Sequence, residues 1–112
     1  MNKFASFLVV LGLGAFPVLA SAATFHNVPL VDVNCSKKAA ANPDAHTRSC
    51  AIMCAGSGYG ILENGKFIKF DANGNQEVLK ELKASHETDH LRVNVKGEVQ
   101  GDTLKVSSVK LL

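Results

Sequence analysis

The chain has no tryptophan and one tyrosine among its 112 residues, so a domain built from it has little large aromatic surface to bury. It has no surplus of charge. Twelve Lys and Arg face ten Asp and Glu, giving +2 with neutral histidines, and the two signs are interspersed. Nothing in that balance calls for nucleic acid or an anionic membrane as a partner. There is no internal repeat, no low-complexity segment and no second long apolar run. The three cysteines lack the paired C-x2-C knuckles of common zinc modules, the C-x-x-C of thioredoxin-type redox sites and the C-x-x-C-H of covalent haem attachment. The glycines of "GSGYG" are followed by no helix and no Lys-Ser/Thr pair, so they do not make a phosphate loop.

What is present begins at the N-terminus. "MNKFASFLVVLGLGAFPVLASAATF" combines a basic start at Lys3, an apolar run from Phe4 to Leu19 and small residues at Ala20 and Ala22 that satisfy A-x-A. This pattern predicts a signal peptide over residues 1–22, cleaved after Ala22. Gly12, Gly14 and Pro17 interrupt the run, which falls short of the ~20 residues that span a bilayer, so no stable membrane anchor is expected. No cysteine stands just after it, so a lipid anchor is not indicated. Residues 23–112 are then a single soluble domain, periplasmic or secreted, large enough for a modest core and too small for two.

Within that domain "TFHNVPLVDVN" (24–34) predicts a first strand, with Pro29 marking an edge or a bulge. Asn42 as N-cap, Pro43 at the first turn and Gly56 as a stop predict a helix from Pro43 to Ala55. Asn64-Gly65 between apolar runs predicts a tight hairpin, because both central residues of a type I′ turn need positive φ. "DANGN" (71–75) reads as a turn, and "QEVLKELKAS" as a short amphipathic helix. Leu91, Val93 and Val95 alternate with Arg92, Asn94 and Lys96. A last strand carries Leu104, Val106, Val109 and Leu111, and Ser107-Ser108 breaks its alternation as a bulge would. The expected fold is mostly β with two helices: a small OB-like five-stranded barrel in the order β-α-ββ-α-ββ, with the first helix inserted between strands 1 and 2. The alternative is an open α+β sheet. Closure is favoured because it hides the edges of short strands. Phe67 and Phe70 are expected in the core and not as stacking platforms.

The chemistry-bearing residues concentrate in one segment. The pattern C-x14-C-x3-C joins Cys35, Cys50 and Cys54, with His46 inside its first interval. On one continuous helix, His46, Cys50 and Cys54 would share a face, together with Met53. With Cys35 over that face, one imidazole and three thiolates make a ligand set that suits zinc, and soft thiolates near a methionine suit cuprous copper. Asp32 would orient His46 or cap the helix. The competing reading is a disulfide from Cys35 to Cys50 or Cys54. It would close a loop of about 15 to 19 residues and stabilise by roughly 3 kcal/mol. That reading makes the domain a stapled scaffold whose strand face or loops bind a peptide, glycan or small ligand without metal. Three cysteines in an exported protein leave one thiol over in that case. Thiol–disulfide exchange is a third class, to which the helix offers little help in lowering a cysteine pKa. No oxyanion element accompanies Cys50 and His46, so no catalytic residue and no enzymatic activity is expected. His86 and His90 in "SHETDH" are expected to be solvated loop residues, and His26 a rim or core residue.

"VDVNC", "HTRSCAIMCAGSGYGILENGKF" and "VNVKGEVQGDTLKV" together resemble a group of small exported bacterial proteins of uncharacterised function. Their shared pattern is D-x2-C, then H-x3-C-x3-C, a glycine-containing turn into a hairpin, and a closing V-x-V-x-G hairpin. The resemblance spans nearly the whole predicted domain and falls on Asp32, Cys35, His46, Cys50, Cys54 and Gly58. It implies export, an OB-like barrel and a Cys/His cluster that acts as a unit.

Overall fold

The computed structural model describes residues 21–112. The expected signal peptide, residues 1–22, lies outside that range except for Ser21 and Ala22. These two residues already belong to the first strand, opposite Val99 and Glu98.

Five strands close into a barrel in the order β1-β2-β3-β5-β4. The chain passes through β1 (Ser21–Asp32), β2 (Tyr59–Glu63), β3 (Lys66–Phe70), β4 (Arg92–Gln100) and β5 (Thr103–Leu111). This is the expected OB-like barrel. β1 achieves closure by serving two neighbours. Its first part pairs with β4 as far as Pro29↔Arg92, and its last residues pair with β2 from Leu30↔Ile61 to Asp32↔Tyr59. Within the part paired with β4 the register shifts at a bulge between Phe25 and Val28. Asn27 sits there at φ 54°, a left-handed conformation that asparagine tolerates better than most residues. β3 and β5 meet in parallel at Lys69↔Thr103 and Phe70↔Leu104, which shuts the barrel.

The local signals hold where they depend on neighbours in sequence. Asn64 and Gly65 take φ 52° and 80° between the paired residues Glu63 and Lys66. Lys96 pairs with Ser108 and Gly97 with Val106, so Ser107 is the extra residue of a bulge. Inward-facing Leu30, Ile61, Val93 and Leu104 fill the barrel, and Val78 and Leu82 of the helix α3 (Ala72–Ala84) cover it. Phe70 joins this core. Phe67 packs with Val31, Ala39 and Leu62 in a smaller cluster on the outside.

Two helical expectations need correction. "DANGN" is the first turn of α3 and not a separate turn. Asp71 caps that helix by accepting from the Gly74 amide at 3.0 Å, and the same Oδ1 accepts from Val106 of β5 at 3.1 Å. The helix from Pro43 to Ala55 is not continuous. Pro43–Ala45 form a 3-10 turn, His46 is extended (φ −71°, ψ 126°), and α2 covers only Arg48–Met53. Asn42 makes no side-chain cap. Thr47 does, its Oγ1 accepting from the Cys50 amide at 3.2 Å. A second 3-10 turn, Ala55–Ser57, follows, and the positive φ that ends the run belongs to Gly58 (86°), not Gly56. A one-turn helix α1 (Ser36–Ala39), which the sequence did not suggest, follows Cys35. Among the described residues no helix is long and apolar enough to cross a membrane.

Candidate metal centre

Asp32 is the last residue of β1, and its side chain is wholly buried. A buried carboxylate needs partners, because its lost hydration is otherwise uncompensated. Both oxygens have one. Oδ2 accepts from the Cys35 amide at 3.0 Å, which caps the 3-10 turn Val33–Cys35. Oδ1 lies 2.6 Å from Nε2 of His46, whose side chain is only 7 % exposed. In a neutral imidazole that donates from Nε2 to this carboxylate, Nδ1 is the nitrogen with the lone pair. No protein hydrogen bond is made to Nδ1 among the described residues.

His46 reaches Asp32 because the loop before α2 is pinned to the barrel. Arg92 at the start of β4 donates to both carboxylate oxygens of Asp44, at 3.0 and 3.1 Å, and to the Asn27 carbonyl at 2.8 Å. The Arg92 hydrogen bonds hold the Asp44 carboxyl below the usual carboxylate range. The His90 amide donates to the Asp44 carbonyl, and the Arg48 amide to the Thr88 carbonyl. This brackets His46 between two anchored points. The extended backbone there turns the imidazole toward β1 and away from the α2 surface. The expectation that His46 shares a helical face with Cys50 and Cys54 is therefore corrected.

Cys35 follows Asp32 by one tight turn. Its Sγ, an oxygen of Asp32 and a ring nitrogen of His46 all lie within 4.8 Å of one another. Burial first, then the Asp32 carboxylate and the nearby Cys54 and Cys50, push the Cys35 thiol up from its ordinary value. Without a cation it is a neutral thiol, the opposite of an activated nucleophile. Cys35, His46 and Cys50 line one cavity of about 290 Å³, with Lys38, Asn42 and Thr47 around it. Cys50 thus faces the same space as Cys35 and His46, although it comes from α2. Cys54 caps the C-terminus of α2, and its Sγ accepts from Asn34 Nδ2 at 3.7 Å.

All three cysteines are free thiols, so neither pairing of Cys35, with Cys50 or with Cys54, is formed. His86 and His90 are exposed in the loop after α3, and His90 Nδ1 contacts only Asp89, at 2.8 Å. His26 is exposed on β1. Sequence reasoning gave Asp32 a supporting role but not its central place as the group that holds both His46 and the Cys35 turn. It missed Arg92 and Asp44. The Thr47 cap was readable as a Ser/Thr-type residue two before Ser49-Cys50, and the stronger-looking Asn42-Pro43 signal hid it. No family model matches the chain, and neither does any curated protein or solved structure.

Proposed function

We propose that the protein is an exported binding module that holds one soft cation, Zn²⁺ or Cu⁺, on Cys35, His46 and Cys50. The grouping of Asp32, Cys35 and His46 within 4.8 Å, with Cys50 lining the same cavity, carries this reading. Asp32 and His46 are not both ligands through their facing atoms. A tetrahedral ion with bonds of about 2.0–2.1 Å spaces its ligand atoms roughly 3.3 Å apart, and Oδ1 and Nε2 are 2.6 Å apart. Asp32 instead fixes the ring so that Nδ1 is the donor, the carboxylate–histidine–metal arrangement that raises ligand basicity. Cys35 and Cys50 supply thiolates, and the cation displaces their protons. A fourth position stays open to solvent or to an incoming donor. Export fits this set of free thiols, because a bound cation protects them from pairing in an oxidising compartment. The resemblance to small exported OB-like proteins is part of the same proposal.

Native mass spectrometry of the reduced protein with zinc tests it. One equivalent should bind. Cys35→Ser and His46→Ala should lose it, and Asp32→Asn should weaken it by about 10- to 100-fold. A wild-type protein that binds no zinc, or variants that bind as tightly as wild type, would overturn the reading in favour of a metal-free scaffold.

A further inference from the structure

α2 and its C-cap carry three sulfur side chains beside the buried centre, Cys50, Met53 and Cys54. Cys50, Met53 and Cys54 stand at i, i+3 and i+4, a spacing that brings side chains together on one helical face. α2 gives its other face to the barrel, burying Ala51 and packing Ile52 against the core. Free cysteine is among the most buried residue types. Here one cysteine is exposed and the next half-buried, and Met53 between them is 79 % exposed. Packing does not explain why Cys50 and Met53 are exposed. The only other exposed large apolar side chain among the described residues is the terminal Leu112.

We propose that Cys50, Met53 and Cys54 form a surface site for Cu⁺, and that Cys50 hands the ion inward to Cys35 and His46. Two thiolates and a thioether are a soft donor set. A thioether discriminates, because soft sulfur ligands select Cu⁺ whereas zinc draws on thiolate, imidazole and carboxylate. Each thiol that ligates releases its proton to solvent, and the copper stays Cu⁺ throughout. Passage inward is ligand exchange: Met53 and Cys54 leave the ion as Cys35 and His46 join it, with Cys50 bound on both sides. Cys50 is placed for that because it is exposed on α2 and lines the cavity that Cys35 and His46 share. Only the inward step rests on the proposed buried centre.

The test is anaerobic competition for Cu⁺ against a chromogenic chelator, alongside a zinc titration. The proteins are wild type, Met53→Leu, Cys35→Ser and the double variant. Met53 is solvated, so Met53→Leu leaves the fold intact. The expected result is that Met53→Leu lowers Cu⁺ affinity at least about tenfold in the Cys35→Ser background, where the ion cannot pass inward, and leaves zinc affinity unchanged in the wild-type background. Cys35→Ser should lose zinc yet still hold Cu⁺. Unchanged copper affinity when Met53→Leu is added to Cys35→Ser, or no copper held by Cys35→Ser, would overturn the surface site. A wild-type protein that binds Cu⁺ through Met53 but takes no zinc would overturn the buried centre alone.

Discussion

Tyr59 shows how single side chains tie the site to the barrel. It is the only tyrosine of the chain and 1 % exposed, and its hydroxyl donates to the Ala51 carbonyl at 2.7 Å. That bond fastens α2, with its cysteines, to β2. Burial above all, with the nearby Asp32 carboxylate and Cys54 adding to it, pushes the phenol up to about 12 from 10.0. The folded state therefore holds a proton that the unfolded chain gives up first. The stabilisation is fully present below pH 10 and is lost as pH rises toward 12, by roughly 2–3 kcal/mol in total. A spectroscopic phenolate titration reads this one residue. Ionisation is expected near pH 12, and Tyr59→Phe should remove the loss of stability between pH 10 and 12 in denaturant unfolding. Ionisation near 10 in the folded protein would contradict the buried placement. None of this was legible in the sequence, which shows a lone tyrosine after a glycine turn but not the carbonyl it reaches.

At the scale of elements, the signals that held are those closed within a few residues. Asn64-Gly65 needs only its own backbone to form a type I′ turn, and the Ser107 bulge follows from the alternation on either side of it. Those that failed were decided by contacts distant in sequence. "DANGN" has turn composition, yet Asp71 caps a helix because its Oδ1 also meets the Val106 amide, 35 residues on. The helix before Cys50 breaks because the Asp44–Arg92 pair and the bond from His46 to Asp32 hold that backbone out. Gly74 belongs to the same distant logic. A Cβ there would lie 2.4 Å from Val106 Cγ2, so α3 can approach β5 only because the residue is glycine. Gly74→Ala would gain helix propensity in an isolated peptide. In the protein it should destabilise by about 1–3 kcal/mol through overpacking, measured by denaturant unfolding. A neutral or stabilising result would mean that α3 can shift away from β5.

For the whole molecule, five short strands with a helix between the third and fourth sufficed to anticipate a closed barrel. Closure itself rests on the length of β1, which begins at Ser21. A cut after Ala22 would remove its two outermost rungs and leave the pairing from Ala23↔Gly97 onward. The residues of the candidate centre were legible as types and spacings, Asp32, Cys35, His46 and Cys50 among them. Their arrangement was not. The sequence offered one helical face, whereas the protein gathers the group from the end of β1, an extended pinned loop and α2. The barrel thus serves as a rigid frame that holds an imidazole and two thiols around a small cavity. The resulting claim is that Cys35 and Cys50 act together on one cation.

That claim is tested most directly by counting reactive thiols on the folded, reduced protein, with and without one equivalent of zinc, followed by a chelator. Three thiols should react without metal, Cys35 slowest. Zinc should protect Cys35 and Cys50 together and leave Cys54 reactive, and the chelator should restore all three. Identical reactivity with and without zinc would contradict the account. So would a single titratable thiol in the protein purified without reductant, because it would mean that two of the cysteines are joined as a staple.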